Sequence, residues 1–418
     1  MQILQTLAQA FRVTELRQRI LFTLAMLVVF RLGIHIPVPG VNATAFAQLL
    51  AGGTLFGFLD VVSGGALRNL SIFAMSVIPY INASIIIQLL TLVIPQLEAW
   101  SKEGEEGCRK ITSSTRYGTA LLGLIQAIGT VILLGRQNAL IGQGLFYQAV
   151  AVIALTSGTL LLMWIGEQIT ERGIGNGISI LIFVGIVSRL PGGLNTITQY
   201  VQGGVANTFN IVWMAIAALL VVACVVTVQQ AARRIPVQYA KKVVGRRMYG
   251  GQSTHIPMRV NQAGVIPVIF AAAVLSLPQT LANFFPWASS AANWLNGWVY
   301  PTLYAVLILF FTFFYTAIVF NPYDVSDNIR KYGGFIPGLR PGRPTTEFLS
   351  AVLNRVTLLG AVFLALVAVL PFFFGSLVGI PNVSFGGTAL LIVVGVALET
   401  MKQIESQMVM RHYEGFIR

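Results

Sequence analysis

Charge is what this sequence has least of: 10% of its 418 residues are Asp, Glu, Lys or Arg, against 56% hydrophobic residues and a mean hydropathy of +0.77. Soluble domains carry roughly a quarter charged residues, so water-soluble enzyme folds are set aside and lipid is the solvent. Acidic residues are scarcer still, 14 against 27 Lys plus Arg, for a net charge of +13. That surplus makes nucleic acid or anionic surfaces candidate partners. Two cysteines, Cys108 and Cys224, make neither a disulfide framework nor a metal cluster. His35, His255 and His412 are scattered too widely for a metal site. No G-x-x-x-x-G-K-[ST] stretch is present, which excludes P-loop hydrolysis of ATP. Gly173, Gly175 and Gly177 are wrongly spaced for a dinucleotide fingerprint and read as a tight turn. With no nucleophile-base constellation the chain is not read as an enzyme, and neither cofactor nor metal is expected.

What is present is long apolar runs. A helix needs about 20 apolar residues to cross a bilayer, and ten runs qualify or come close: Ile20–Ile36, Leu70–Pro95, Tyr117–Leu134, Leu145–Ile165, Ile174–Val187, Phe209–Val228, Ala263–Phe285, Val299–Phe320, Val356–Phe374 and Phe385–Leu398. Arg31 is the only charge inside any of them. If the runs alternate in direction, every Lys and Arg except Arg31, Arg68, Arg136 and Arg189 falls on one side. The positive-inside rule makes that side the cytoplasm and puts both termini there. Nine or eleven spans are the rival counts, and an odd number would break the asymmetry. Arg17 and Arg19 lead into the first run, but Pro37-Val38-Pro39-Gly40 follows instead of a small-x-small cleavage site, so the run reads as a retained span. Ahead of it Ile3, Leu4, Leu7, Ala8 and Phe11 share one helical face, as in an interfacial helix.

Ser76-Val77-Ile78-Pro79-Tyr80-Ile81 in run 2 is echoed by Gly264-Val265-Ile266-Pro267-Val268-Ile269 in run 7. Five spans per half would make the halves inverted, an arrangement that builds a path at their interface. A chance echo of a short apolar hexamer is the alternative. Before run 2, Leu55-Phe56-Gly57-Phe58-Leu59-Asp60-Val61-Val62 is apolar enough to enter lipid but too short to cross, with Ser63-Gly64-Gly65 to turn the chain back. It reads as a re-entrant piece that needs a cavity, or else as an interfacial helix. Span interiors without ionisable groups argue against a cation-coupled transporter. They suit a constriction of bulky aliphatics, for which Val77, Ile81 and Ile269 beside the two mid-span prolines are candidates. Ordinary helix packing would use the same residues. The loop after run 6 carries Arg233, Arg234, Lys241, Lys242, Arg246, Arg247 and Arg259, and the loop after run 8 carries Arg330, Lys331, Arg340 and Arg343. Both look shaped for docking RNA, an acidic protein face or anionic lipid.

The chain resembles the SecY family, central subunits of the bacterial protein-conducting channel. The stretches that carry the resemblance run in order along the chain: Ser71–Ala74 through Pro79–Gln88, Gly166–Ser179, Arg234–Lys241, Gly264–Pro267, Tyr332–Gly342 and Gly386–Val394. The resemblance implies an all-α integral membrane protein, with ten transmembrane helices in two inverted, pseudo-symmetric halves of five around a pore. It divides the chain into a cytoplasmic segment 1–19, a first half 20–190, an external linker 191–208, a second half 209–403 with cytoplasmic loops 229–262 and 321–355, and a tail 404–418. It also implies a pore ring of Val77, Ile81, Ile182, Ile269 and Ile392, and a plug over 55–66 that includes Leu55, Phe56, Phe58, Leu59, Asp60, Val61, Val62, Ser63, Gly64 and Gly65. Asn82 and Gln88 fall at its lateral gate, and Arg246, Arg247 and Arg340 at positions that engage the SecA motor or the ribosome. Implied partners are SecE and SecG subunits, SecA, the ribosome, unfolded preproteins with their signal peptides, and membrane lipids. The implied location is the bacterial inner membrane. The expected function is conduction of unfolded polypeptides across the membrane and release of hydrophobic segments into lipid, with a secondary transporter as the alternative. The sequence departs from the family at Val77, where isoleucine is usual, and at Cys108, where a basic residue is common.

Overall fold

The computed structural model describes residues 13–41, 63–136, 140, 144–202, 208–239, 242–244, 247–249, 253–284, 297–378 and 387–414. Each of the ten apolar runs meets a helix there. They are α1 (Thr14–Gly33), α2 (Ile78–Val93), α4 (Glu105–Arg136), α5 (Leu145–Arg172), α6 (Gly177–Ser188), α8 (Thr208–Gln230), α9 (Ile266–Phe284), α10 (Val299–Val319), α12 (Arg343–Val378) and α13 (Gly387–Glu414). Three shorter helices join them: α3 (Pro95–Lys102), α7 (Leu190–Gln202) and α11 (Pro322–Lys331). Among the described residues, four helices are long and apolar enough to cross a membrane on their own, and a fifth span results if α2 and α3 are counted together.

Run 2 shows where an apolar pattern misleads. Residues 63–77 form a succession of turns, buried for the most part but exposed at Arg68 and Asn69, and the helix starts only at Ile78. Ser76 takes the left-handed conformation at φ +54°, which no right-handed helix tolerates. Pro79 follows in the first turn, where its missing N–H costs nothing. The helix then ends at Ile94, which is extended as a residue before proline must be, and α3 leaves at 98° to α2.

The run 7 echo has the same construction. Gly264 sits at φ +65°, and α9 begins at Ile266 with Pro267 next. The two prolines are therefore helix starters rather than mid-span residues. Ile81 N donates to Val77 O at 3.0 Å and Ile269 N to Val265 O at 3.3 Å, so both copies close the first turn alike. The halves meet where these copies lie: α9 packs against α2 and α4, and α6 packs against α13.

The Gly173–Gly177 stretch is a turn, as its spacing suggests. Gly175 takes φ +81°, and Asn176 caps α6 by accepting from Ser179 N at 3.2 Å. A Cβ on Gly177 would overlap the Gly166 carbonyl, so glycine is what lets α5 and α6 touch backbone to backbone. Thr170 Oγ1 accepts from Gly177 N and donates to Gly166 O, both at 2.9 Å. Thr23 Oγ1 of α1 accepts from Ile174 N at 3.2 Å and ties the turn to the first helix.

Among the described residues, strands occur only in the two basic loops: β1 (Ala232–Tyr239), β2 (Lys242–Val244), β3 (Arg247–Tyr249), β4 (Ser253–Arg259) and β5 (Gly334–Phe335). β1 pairs antiparallel with β4 from Ala232↔Arg259 to Gln238↔Ser253, and its end pairs with β5 through Gln238↔Phe335 and Tyr239↔Gly334. Ile235, Val237 and Met258 are buried against Ile329 of α11 and Leu349, Val352 and Val356 of α12. The two loops thus fold as one platform with its own core.

Candidate functional site

The five residues expected to form the ring belong to one hydrophobic core. Val77, Ile81, Ile182 and Ile392 are 2%, 6%, 2% and 1% exposed, and half-buried Ile269 packs against the same core. They arrive from the start of α2, from α6, from α9 and from α13, so four helices contribute them to that core. A cavity of about 430 Å³ has Ile81, Ile182 and Ile269 in its wall. Tyr80, Ser84 and Gln88 of α2 line it at i, i+4 and i+8, the spacing of one helical face. Ile266, Ile269 and Phe270 of α9 face them, and Tyr315 of α10 completes that wall. The other wall is polar. Arg116 of α4 donates from Nε to Glu167 Oε1 of α5 at 2.9 Å, with side chains 46% and 12% exposed, and Glu171 lies one turn further on. Aliphatic side chains offer a passing chain no hydrogen bond, and a constriction built of them seals by dewetting without holding what passes.

The remaining expected residues are placed as follows. Leu55 to Val62 of the plug lie outside the described residues, whereas Ser63 and Gly64 are buried and Gly65 is half-buried. Ser63 Oγ accepts from Leu67 N at 3.3 Å. Arg31, the one charge within a run, donates from Nη1 to Ser188 Oγ at 3.2 Å and to Gly64 O at 3.4 Å. The Ser188 hydroxyl in turn donates to Gly185 O at 2.8 Å. Asn82 is buried with its Nδ2 unpartnered, and Gln88 makes only a long 3.5 Å bond from Nε2 to Ser84 Oγ while its Oε1 has no partner. Polar atoms left unpaired at a helix interface weaken that interface.

In the platform, Arg246 lies outside the described residues and Arg247 opens β3. Arg340 stands on a turn closed by Leu339 N to Ile336 O at 3.0 Å, between Gly338 at φ +85° and Gly342 at φ +106°. Thr345 Oγ1 donates to the Arg340 carbonyl at 2.8 Å. Among the described residues, Arg330 and Lys331 share Asp327 and Arg343 pairs with Glu347, but no ion pair forms at exposed Arg340.

Sequence reading missed the polar wall. Arg116 and Glu167 lie just beyond the ends assigned to runs 3 and 4, where a charge reads as a boundary. The i, i+4 spacing of Glu167 and Glu171 was the available signal.

Gly64 and Gly264 separate two reasons for glycine. Both have positive φ, but a Cβ on Gly64 would lie 3.0 Å from Gly185 Cα and 3.3 Å from Ser188 Oγ, whereas one on Gly264 meets nothing within 4 Å. Gly264→Ala should therefore cost about 1 kcal/mol of backbone strain. Gly64→Ala should cost more than about 2 kcal/mol, because overpacking adds to the strain. Thermal unfolding in detergent checks the order, and equal losses would mean the Gly64 contact is dispensable.

The SecY family model matches residues 71–401. The protein translocase subunit SecY of Streptomyces galbus is 50% identical, with the match covering 100% of both chains. A solved protein-conducting channel superposes with a TM-score of 0.65 at 19% identity, covering 94% of this chain and 93% of that one. A solved SecY, whose plug domain stabilises the closed state of its translocation channel and maintains a membrane seal, gives a TM-score of 0.63 at 18% identity, covering 94% and 92%. These likenesses fix the fold as that of a protein-conducting channel, and the full-length identity makes the assignment: the chain belongs to the SecY family of protein translocase subunits.

Proposed function

We propose that Val77, Ile81, Ile182, Ile269 and Ile392 are the ring through which unfolded polypeptide passes, and that residues 55–66 plug it at rest. One observation carries this reading: Ile81, Ile182 and Ile269, from three helices, line a cavity that also holds charged side chains, and they share one hydrophobic core with Val77 and Ile392. The plug domain of the similar solved SecY supports the second half of it. Asn82 and Gln88 mark the seam along α2 that opens sideways to release hydrophobic segments into lipid. Arg246, Arg247 and Arg340 dock the SecA motor or the ribosome, and SecE and SecG complete the channel. The protein lies in the bacterial inner membrane with both termini in the cytoplasm, because the positive-inside rule places the basic loops there. The transporter alternative finds no support, since Arg31 alone is charged within the runs and Arg31 is held by a hydroxyl and a carbonyl.

Crosslinking tests the path. A stalled secretory chain should crosslink to cysteines placed at Val77, Ile182 and Ile392, and not to one at Leu219 of α8, which is 71% exposed on an apolar face. Crosslinks at Leu219 with none at the three ring positions would overturn the assignment.

A further inference from the structure

Two features of the polar wall are costly, and the seal does not explain either. Glu167 and Glu171 stand four residues apart on α5, so their like charges repel by a few tenths of a kcal/mol. They also occupy the last turns of that helix, where the macrodipole already favours cations over anions. Arg116 hydrogen-bonds Glu167 alone. Two carboxylates against one guanidinium leave the charged lining of this cavity net negative, in a chain whose net charge is +13. Arg172, the remaining cation of that turn, is exposed and is not part of the cavity wall.

We infer that Glu167 and Glu171 form a binding site for the basic leading segment of a signal sequence, with Arg116 occupying half of it until the substrate's Lys or Arg arrives. The inference rests on the channel reading above and names the chemistry that the cavity selects. A signal sequence is bipartite, a short positively charged segment followed by 7–15 apolar residues. The cavity is bipartite in the same sense: its lining combines carboxylates and the hydroxyls of Thr112 and Thr170 with the apolar Ile266, Ile269 and Phe270 of α9. A substrate cation at Glu171 relieves the carboxylate repulsion and the clash with the helix end. An anionic segment would meet both.

The test uses the full chain in lipid nanodiscs and two fluorescent synthetic peptides with one apolar run, preceded by three lysines or by three glutamines. The wild type should bind the lysine peptide more tightly. Glu171→Gln should cut that preference by at least about threefold and leave the affinity for the glutamine peptide unchanged. Arg116→Gln should raise the preference, and in 1 M salt, where the Debye length is about 3 Å, the preference should vanish. Glu171→Lys should favour a third peptide that begins with three aspartates. Glu171 is exposed, so its variants test the site even where Glu167→Gln fails to fold. An unchanged lysine-to-glutamine ratio in Glu171→Gln, or equal weakening of both peptides, would overturn the site. Failure of the wild type to bind either peptide would instead count against the channel reading, and with it the site.

Discussion

Replacing Ile81, Ile182 and Ile392 together with glycine should open the resting protein to ions. The three side chains are almost fully buried in one core, and a dewetted constriction holds back water only while bulky apolar groups narrow it. If their removal lowers the permeation barrier by about 1.4 kcal/mol, leak through planar bilayers rises about tenfold. Large-to-small changes in a core also cost about 2–5 kcal/mol of stability each, so a leaky triple variant could be a collapsed one. Leucine separates the two cases. Ile→Leu at the same three positions keeps volume and apolarity and costs little, so it should stay as tight as the wild type. Leak at the wild-type level in a folded glycine variant would place the seal elsewhere. Leak in the leucine variant would mean that ring shape rather than bulk makes the seal.

How much of this was legible follows from the range of the forces involved. The ten runs were readable because burial in lipid demands length and apolarity over about 20 consecutive residues, and each run does meet a helix. The start of α2 was not, because Leu70 to Val77 is as apolar as a helix would be, and only the left-handed backbone at Ser76 and the turns before it make it something else. Serine carries no advance sign of that conformation, whereas the Gly264 of the echo does. The Ser76 and Gly264 correspondence became informative only when both proved to precede a proline in a first helical turn. The basic loops were seen as shaped, but not as a sheet. Their joint core depends on Gln238 and Tyr239 meeting Phe335 and Gly334 from far along the chain, a pairing that no local pattern records. The Arg116–Glu167 pair was hidden for the same reason. Each residue alone looks like the charged end of a span, and only the packing of α4 on α5 turns two boundaries into one wall.

If Arg340 docks the motor as proposed, Arg340→Glu should sharply reduce motor-driven transport while leaving insertion and folding of the channel intact. Most basic residues of this loop already have acidic company: Asp327 holds Arg330 and Lys331, and Glu347 holds Arg343. Exposed pairs of that kind contribute less than about 1 kcal/mol, but they fix where those cations point. Arg340 has no such pair among the described residues, while its backbone is held by the Leu339–Ile336 turn and by Thr345. A restrained backbone carrying an uncommitted guanidinium loses little entropy when it meets a carboxylate, and the planar fork allows two parallel hydrogen bonds. Breaking one close charge pair at a protein interface costs about 2 kcal/mol or more, and reversing the charge adds repulsion. SecA affinity should therefore fall by about thirtyfold or more, measured by titrating SecA against the reconstituted channel. Arg340→Lys should fall between, because it keeps the charge and loses the fork. If the residue serves only to set topology, it is one cation among many on its side and Arg340→Glu changes neither transport nor insertion. That result would remove this turn from the docking surface and leave Arg246 and Arg247 to carry it.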